Sequence, residues 1–109
     1  MRGEEMRVYN RFEVRLPVVW GLSGRTEVEG ETRNISLGGM FIATATPAPF
    51  KTVIELRFRL PALREDTKVE AHVRWVTEEG IGVQFIGLRA IEVWALNQLF
   101  KQRPEPTQG

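Results

Sequence analysis

From Phe12 to Trp20 an apolar side chain falls at every second position (Phe12, Val14, Leu16, Val18, Trp20), with Arg11, Glu13, Arg15, Pro17 and Val19 alongside. Successive side chains of a strand leave opposite faces, so this alternation predicts a half-buried first strand over Phe12–Trp20. Gly21, Ser23 and Gly24 supply a turn, and 26–34 (TEVEGETRN) reads as a more polar second strand bulged at Gly30. After Gly38-Gly39 comes a short third strand over 40–44. A fourth follows over 52–60, with Ile54, Leu56, Phe58 and Leu60 on one face and Val53, Glu55, Arg57 and Arg59 on the other. Val69, Ala71, Val73 and Trp75 alternate with Glu70, His72, Arg74 and Val76 in a fifth strand. Glu78-Glu79-Gly80 turns the chain into a sixth with Ile81, Val83 and Phe85. Six short strands with no helix between them predict an all-β fold, an antiparallel barrel or sandwich.

Beyond Gly87 the period changes. Leu88, Ile91, Ala95 and Leu99 recur at helical spacing, and Val93, Trp94, Leu96 and Phe100 widen the stripe, which predicts one closing helix. The last residues, Arg103-Pro104-Glu105-Pro106-Thr107-Gln108-Gly109, are broken by proline and read as a frayed tail. A chain of 109 residues has the size of a single domain. Its apolar runs are far shorter than the ~20 residues a membrane span needs, and the first residues lack a signal-peptide core, so a cytoplasmic location is expected.

Composition narrows the chemistry. There are no cysteines and one histidine, His72, so neither a thiolate nucleophile nor a multi-histidine metal site is expected. The sole aspartate, Asp66, sits beside Glu65 in a turn, and Glu78-Glu79 occupies another; adjacent carboxylates in turns are solvated charge rather than an acid–base pair. No serine lies at a motif spacing from His72, and neither GxxxxGK[ST] nor GxGxxG occurs, so no enzyme is expected. The formal charge of +1 comes from fifteen basic residues, twelve of them arginine. Arginine's rigid fork of donors suits phosphate and the guanine O6/N7 edge. A GC-rich coding sequence gives the same excess, so position has to decide.

Two segments are left unexplained by patterning. One is Arg7-Val8-Tyr9-Asn10-Arg11, an RxxxR spacing ahead of the first strand, with Arg15 four residues on. The other is Asn34-Ile35-Ser36-Leu37-Gly38-Gly39, where two small polar side chains share a face at a strand end and the glycines allow close approach. Each also has a plain structural explanation, as solvated arginines and as an Asx or Ser turn satisfying its own backbone.

Together, on this series of strands, the two motifs make the chain from about Arg7 to Phe100 resemble the PilZ domain family of bacterial cyclic di-GMP receptors. The signature RxxxR matches Arg7 and Arg11, and (D/N)xSxxG matches Asn34, Ser36 and Gly39. Arg11-x-x-x-Arg15 also fits, but Pro17-Val18 lies six residues after Arg11, as in the family, which favours the first register. Leu60-Pro61, Val73-x-Trp75-Val76 and Gly80-Ile81-Gly82-Val83-x-Phe85 agree as well. Phe50-Lys51-Thr52 departs, since many members carry glycine before the threonine.

The resemblance implies a six-stranded antiparallel split barrel with one C-terminal helix. It implies one domain over 1–103, with 1–10 a flexible ligand-binding approach segment, and a disordered tail over 104–109. The implied ligand is cyclic di-GMP, with no cofactor, and the implied ligand residues are Arg7, Arg11, Asn34, Ser36, Gly39 and Trp75. The arginines would take guanine or phosphate, Asn34 would accept from guanine N1–H or N2–H, Ser36 would bond base or phosphate, and Gly39 would leave room for the ring. Trp75 would add apolar or stacking contact, although its period-two place beside Val69, Ala71 and Val73 assigns it to the core. Output is expected through an unidentified protein partner and a conformational switch. Two alternatives stand beside this. The helix stripe (Ile91, Trp94, Ala95, Leu99, Phe100) offers a surface for an adaptor that binds no nucleotide, or for a homodimer. Binding of DNA or RNA is disfavoured by the low charge and by aromatics on apolar faces.

Overall fold

The structure, a computed structural model, describes residues 10–22, 27–46 and 48–102. Arg7, most of the expected approach segment and the tail 104–109 lie outside the described residues. The alternating segments form β1 (Pro17–Gly21), β2 (Val28–Ile35), β3 (Gly39–Ala43), β4 (Val53–Phe58), β5 (Thr67–Val76) and β6 (Gly80–Ile86), followed by α1 (Ala90–Lys101). Every neighbouring pair is antiparallel, in the order β1-β2-β3-β6-β5-β4, and pairing of β1 with β4 closes the barrel. The expected six-stranded barrel with one closing helix is what the described residues form.

Period two places the core. Val18 and Trp20, Met40 and Ile42, Ile54, Leu56 and Phe58, Val69, Ala71 and Val73, and Ile81 and Val83 all turn inward and are buried. From α1 come Ala95, Leu96, Leu99 and Phe100.

Four expectations need correction. The first strand begins at Pro17, not Phe12. Val14 is buried and Phe12 and Leu16 are half-buried, so the alternation reports burial correctly, yet Phe12 makes only an isolated bridge to Ile35. Between them the hydroxyl of Thr32 takes ladder positions: it accepts from the Leu16 N–H at 2.9 Å and donates to the Val14 carbonyl at 2.5 Å. A side chain that bonds the neighbouring backbone competes with regular pairing.

The second concerns the bulge in β2. Gly30 pairs in register with Val18, and the irregularity lies between Thr32 and Asn34. Gly30 is small for another reason, as a Cβ there would lie 2.8 Å from the Ala43 carbonyl oxygen.

Third, the helix stripe is rotated. The face on the barrel carries Glu92, Ala95, Leu96, Leu99 and Phe100, whereas Ile91 and Trp94 are 47% and 49% exposed. Glu92 is buried because its carboxylate accepts from the Arg89 backbone N–H at 2.9 Å and from the Arg89 guanidinium at 2.8 and 3.0 Å, which satisfies a helix N-terminal donor and the buried charge together. The fourth correction is Trp75, described with the site. At Lys51 the backbone takes φ +72°, a region that glycine enters freely and other residues enter at a cost, which explains why the family's glycine is missed at this turn.

Candidate ligand site on the bulged face

Two bulges shape one side of the barrel. Strict alternation from Thr32, which is buried, would turn Asn34 inward, and alternation from buried Val73 would do the same to Trp75. In each strand one extra residue, Arg33 in β2 and Arg74 in β5, interrupts the register, so that Asn34 pairs with Phe41 and Trp75 with Gly82. Phe41 in turn pairs with Gly82. The result is a row across four strands, Asn34–Phe41–Gly82–Trp75, facing outward. Trp75 is therefore 57% exposed and not part of the core. Gly82 is the floor beneath it, since a Cβ there would lie 2.6 Å from Trp75 Cε3.

Arg11 joins this row from the segment before β1. Its Nη1 donates to Asn34 Oδ1 at 2.8 Å, and the two lie with Trp75, Gly82, Phe41, Met40 and Thr77 around a shallow cavity of about 260 Å³. The structure thus brings together Arg11, Asn34 and Trp75 of the expected set. Ser36 and Gly39 stand behind them. The Ser36 hydroxyl is buried and accepts from the N–H groups of Gly38 and Gly39 at 3.0 and 3.2 Å, holding the loop that starts β3. Gly39 is required by the sheet, because a Cβ would lie 1.9 Å from the Val83 carbonyl oxygen. Arg7 lies outside the described residues. Phe41 and Gly82 were missed from sequence; only the bulges make them neighbours of Asn34 and Trp75, and a one-residue bulge leaves no mark on composition.

Charge is arranged unequally. Arg11 bonds the neutral amide of Asn34, and Arg74 donates from Nε to the neutral amide of Gln84 at 2.7 Å, so neither cation is neutralised by its partner. Among the described residues these forks of donors meet only neutral partners, and such a fork beside an exposed aromatic ring can bind an anion and stack a base. His72 is half-buried and pairs in register with Val53 and Gln84. Among the described residues no group of three or more His, Cys, Asp or Glu side chains could hold a metal ion, and no helix is long and apolar enough to cross a membrane.

Comparison with known proteins settles the family. The profile of the PilZ domain matches residues 5–102. The chain belongs to the PilZ domain family. PilZ domains are binding and regulatory domains, in general receptors for cyclic di-GMP. Among solved structures, the chain is similar to the Bacillus subtilis inhibitor of motility (MotI/DgrA), with 21% identity and TM-score 0.64 over 90% of this chain. It spans 53% of that protein. It is also similar to the PilZ domain of CeSA from a cellulose-synthesizing bacterium, with 19% identity and TM-score 0.67, over 84% of this chain and 95% of that one. No curated protein matches the sequence. At these identities the structural likeness carries the fold alone.

Proposed function

We propose that this PilZ domain is a cytoplasmic, non-catalytic receptor for cyclic di-GMP that holds the ligand on the bulged face and reports its presence to a partner protein, with no further cofactor. The observation that carries the reading is the bond from Arg11 to Asn34 at the edge of the Asn34–Phe41–Gly82–Trp75 row. It joins one residue of each motif. Cyclic di-GMP offers two phosphates and two guanines, each with O6 and N7 acceptors on one edge and N1–H and N2–H₂ donors on the other. Arg7 and Arg11 supply forks for phosphate or the O6/N7 edge. Asn34 Oδ1, with one lone pair left beside the Arg11 bond, accepts from the donor edge. Trp75 stacks, and Ser36 and Gly39 serve from within the loop that sets the height of the floor.

One contact of the same segment supports a relay. Phe12, next to Arg11, stacks on Phe100 of α1 with ring centroids 4.2 Å apart and planes 7° apart. Movement of Arg11 onto a ligand therefore acts on the helix through a stacked pair, and a surface on α1 can carry the output. Calorimetric titration tests the site: Arg7→Ala and Arg11→Ala should each weaken binding about 5- to 150-fold, the worth of a bidentate arginine–guanine contact. Unchanged affinity in both would remove the site assignment.

A second reading rests on a different observation. Trp94 borders a groove of about 690 Å³ with Phe12, Leu37, Asn97, Gln98, Phe100 and Lys101, whose lining, apolar and amide apart from the Lys101 ammonium, suits a protein better than a dianion. An adaptor that uses this groove without nucleotide, or a homodimer through it, gives sedimentation behaviour unaffected by cyclic di-GMP; a ligand-operated switch does not.

A further inference from the structure

The cavity at Arg11 and Trp75 is too small for the ligand it is proposed to take. Its volume of about 260 Å³ falls below the roughly 300–1,000 Å³ of ordinary small-molecule sites, and a cyclic dinucleotide carries two complete guanosine phosphates. Asn34, however, lines a second cavity as well. This one measures about 490 Å³ and is bordered by Glu13, Arg15, Arg33 and Asn34. Asn34, at the β2 bulge, is the residue that both cavities share. The bulge that turns Asn34 outward also leaves Arg33 outward beside it, and Arg33 makes no hydrogen bond or ion pair with another described residue. Among the described residues Arg15, the third arginine of the overlapping RxxxR series, has only a 3.6 Å pair with Glu31, both side chains being about half exposed or more. A long, solvated pair of that kind holds its partners weakly.

Resting on the receptor reading above, we propose that Arg15, Arg33 and Glu13 form a second half-site that receives a guanosine phosphate of cyclic di-GMP, on the far side of Asn34 from Trp75. The two guanidinium groups take the phosphodiester, where fork geometry and charge both match. The Glu13 carboxylate is an acceptor for the N1–H and N2–H₂ edge of guanine, which explains an acid between two arginines at an anion site. Asn34 is then the hinge of a two-part site, touched from both cavities.

The test is calorimetric titration of cyclic di-GMP at several salt concentrations into the unaltered chain, Arg15→Ala, Arg33→Ala, Glu13→Gln and, as a control from the opposite side of the barrel, Arg57→Ala. Arg15→Ala and Arg33→Ala should each weaken binding by about fivefold or more, and each should flatten the dependence of log affinity on log salt by roughly one unit, as loss of one phosphate contact does. Glu13→Gln should narrow the preference for cyclic di-GMP over cyclic GMP-AMP, whose adenine presents an acceptor at N1 where guanine presents a donor. Stoichiometry identifies the source of the second guanosine phosphate: one ligand per chain means the other half of the same molecule, and two means a second copy. If the unaltered chain binds while Arg15→Ala, Arg33→Ala and Glu13→Gln all behave as Arg57→Ala does, the half-site is refuted and the receptor reading stands. If the unaltered chain does not bind at all, both fall.

Discussion

The two sides of this barrel handle the same residue type in opposite ways. Where β1 pairs with β2 and β4, and β4 with β5, the register runs unbroken. There the surface arginines meet carboxylates. Arg57 forms a two-point pair with Glu27, at 2.5 and 3.0 Å, and lies 3.7 Å from Asp66, while Arg59 bonds Asp66 at 3.1 Å. The Arg57 hydrogen bonds hold the Glu27 carboxyl below the usual carboxylate range. Where β2 pairs with β3 and β5 with β6, the register shifts, and Arg11 and Arg74 meet neutral amides. Among the described residues, regular pairing goes with arginines held by carboxylates, and bulged pairing with arginines held by neutral amides. An arginine-rich composition is therefore uninformative until each guanidinium is assigned a partner.

Deleting one residue from each side separates the two most clearly. Removing Glu55 from the middle of β4 throws Leu56 and Phe58 out of phase with the core, and losing buried side chains at about 2–5 kcal/mol each exceeds what a domain this size can absorb. Its circular dichroism should show no cooperative unfolding. Removing Arg33 leaves Thr32, Asn34 and Ile35 as a regular alternation, so cooperative melting should survive. A collapse of both deletions would show that the bulge is structural rather than an insertion the fold carries for its surface.

Next in size is Gly39→Ala. The added Cβ meets backbone, which cannot swing away, so a loss of about 3 kcal/mol and a fall in melting temperature of more than roughly 10 °C are expected even without ligand. A glycine kept only to make room for a guanine would show no such fall. The smallest effect runs the other way. Lys51→Gly relieves a positive-φ lysine and should raise stability by about 1 kcal/mol, read as a few degrees in thermal melting.

The same contrast sets what was legible beforehand. Strand number, order along the chain and the closing helix were all visible, because period two and period 3.6 are written directly in side-chain type, and most boundaries fall within two residues of expectation. Arg11 and Asn34 were visible through motif spacing. What stayed hidden was every consequence of a one-residue register shift. Arg33 and Arg74 look like ordinary outward residues of regular strands, and nothing in TRN or VRW announces that the residue after each arginine also faces out. Hence Trp75 was expected inside, and Phe41 and Gly82 were not expected at all. The start of β1 is hidden for a related reason, since Thr32 competes with the ladder through a hydroxyl that the sequence places sixteen residues away from Leu16. On α1, the apolar residues were right but their rotation was not, because a buried Glu92 tied to Arg89 takes the place a leucine would normally hold.

The chain carries its own reporters for binding of cyclic di-GMP on the bulged face. Its three tryptophans lie in three different settings: Trp20 is 4% exposed in the core, Trp75 is 57% exposed on the bulged face, and Trp94 is 49% exposed on α1. In a ¹⁵N-edited nuclear magnetic resonance titration with cyclic di-GMP, the largest indole N–H shift should be that of Trp75, accompanied by the amides of Asn34, Phe41 and Gly82. Trp20 should stay still. Shifts centred on Trp94 with Trp75 unmoved, or no shifts at saturating ligand, would contradict the assignment of the bulged face as the binding surface.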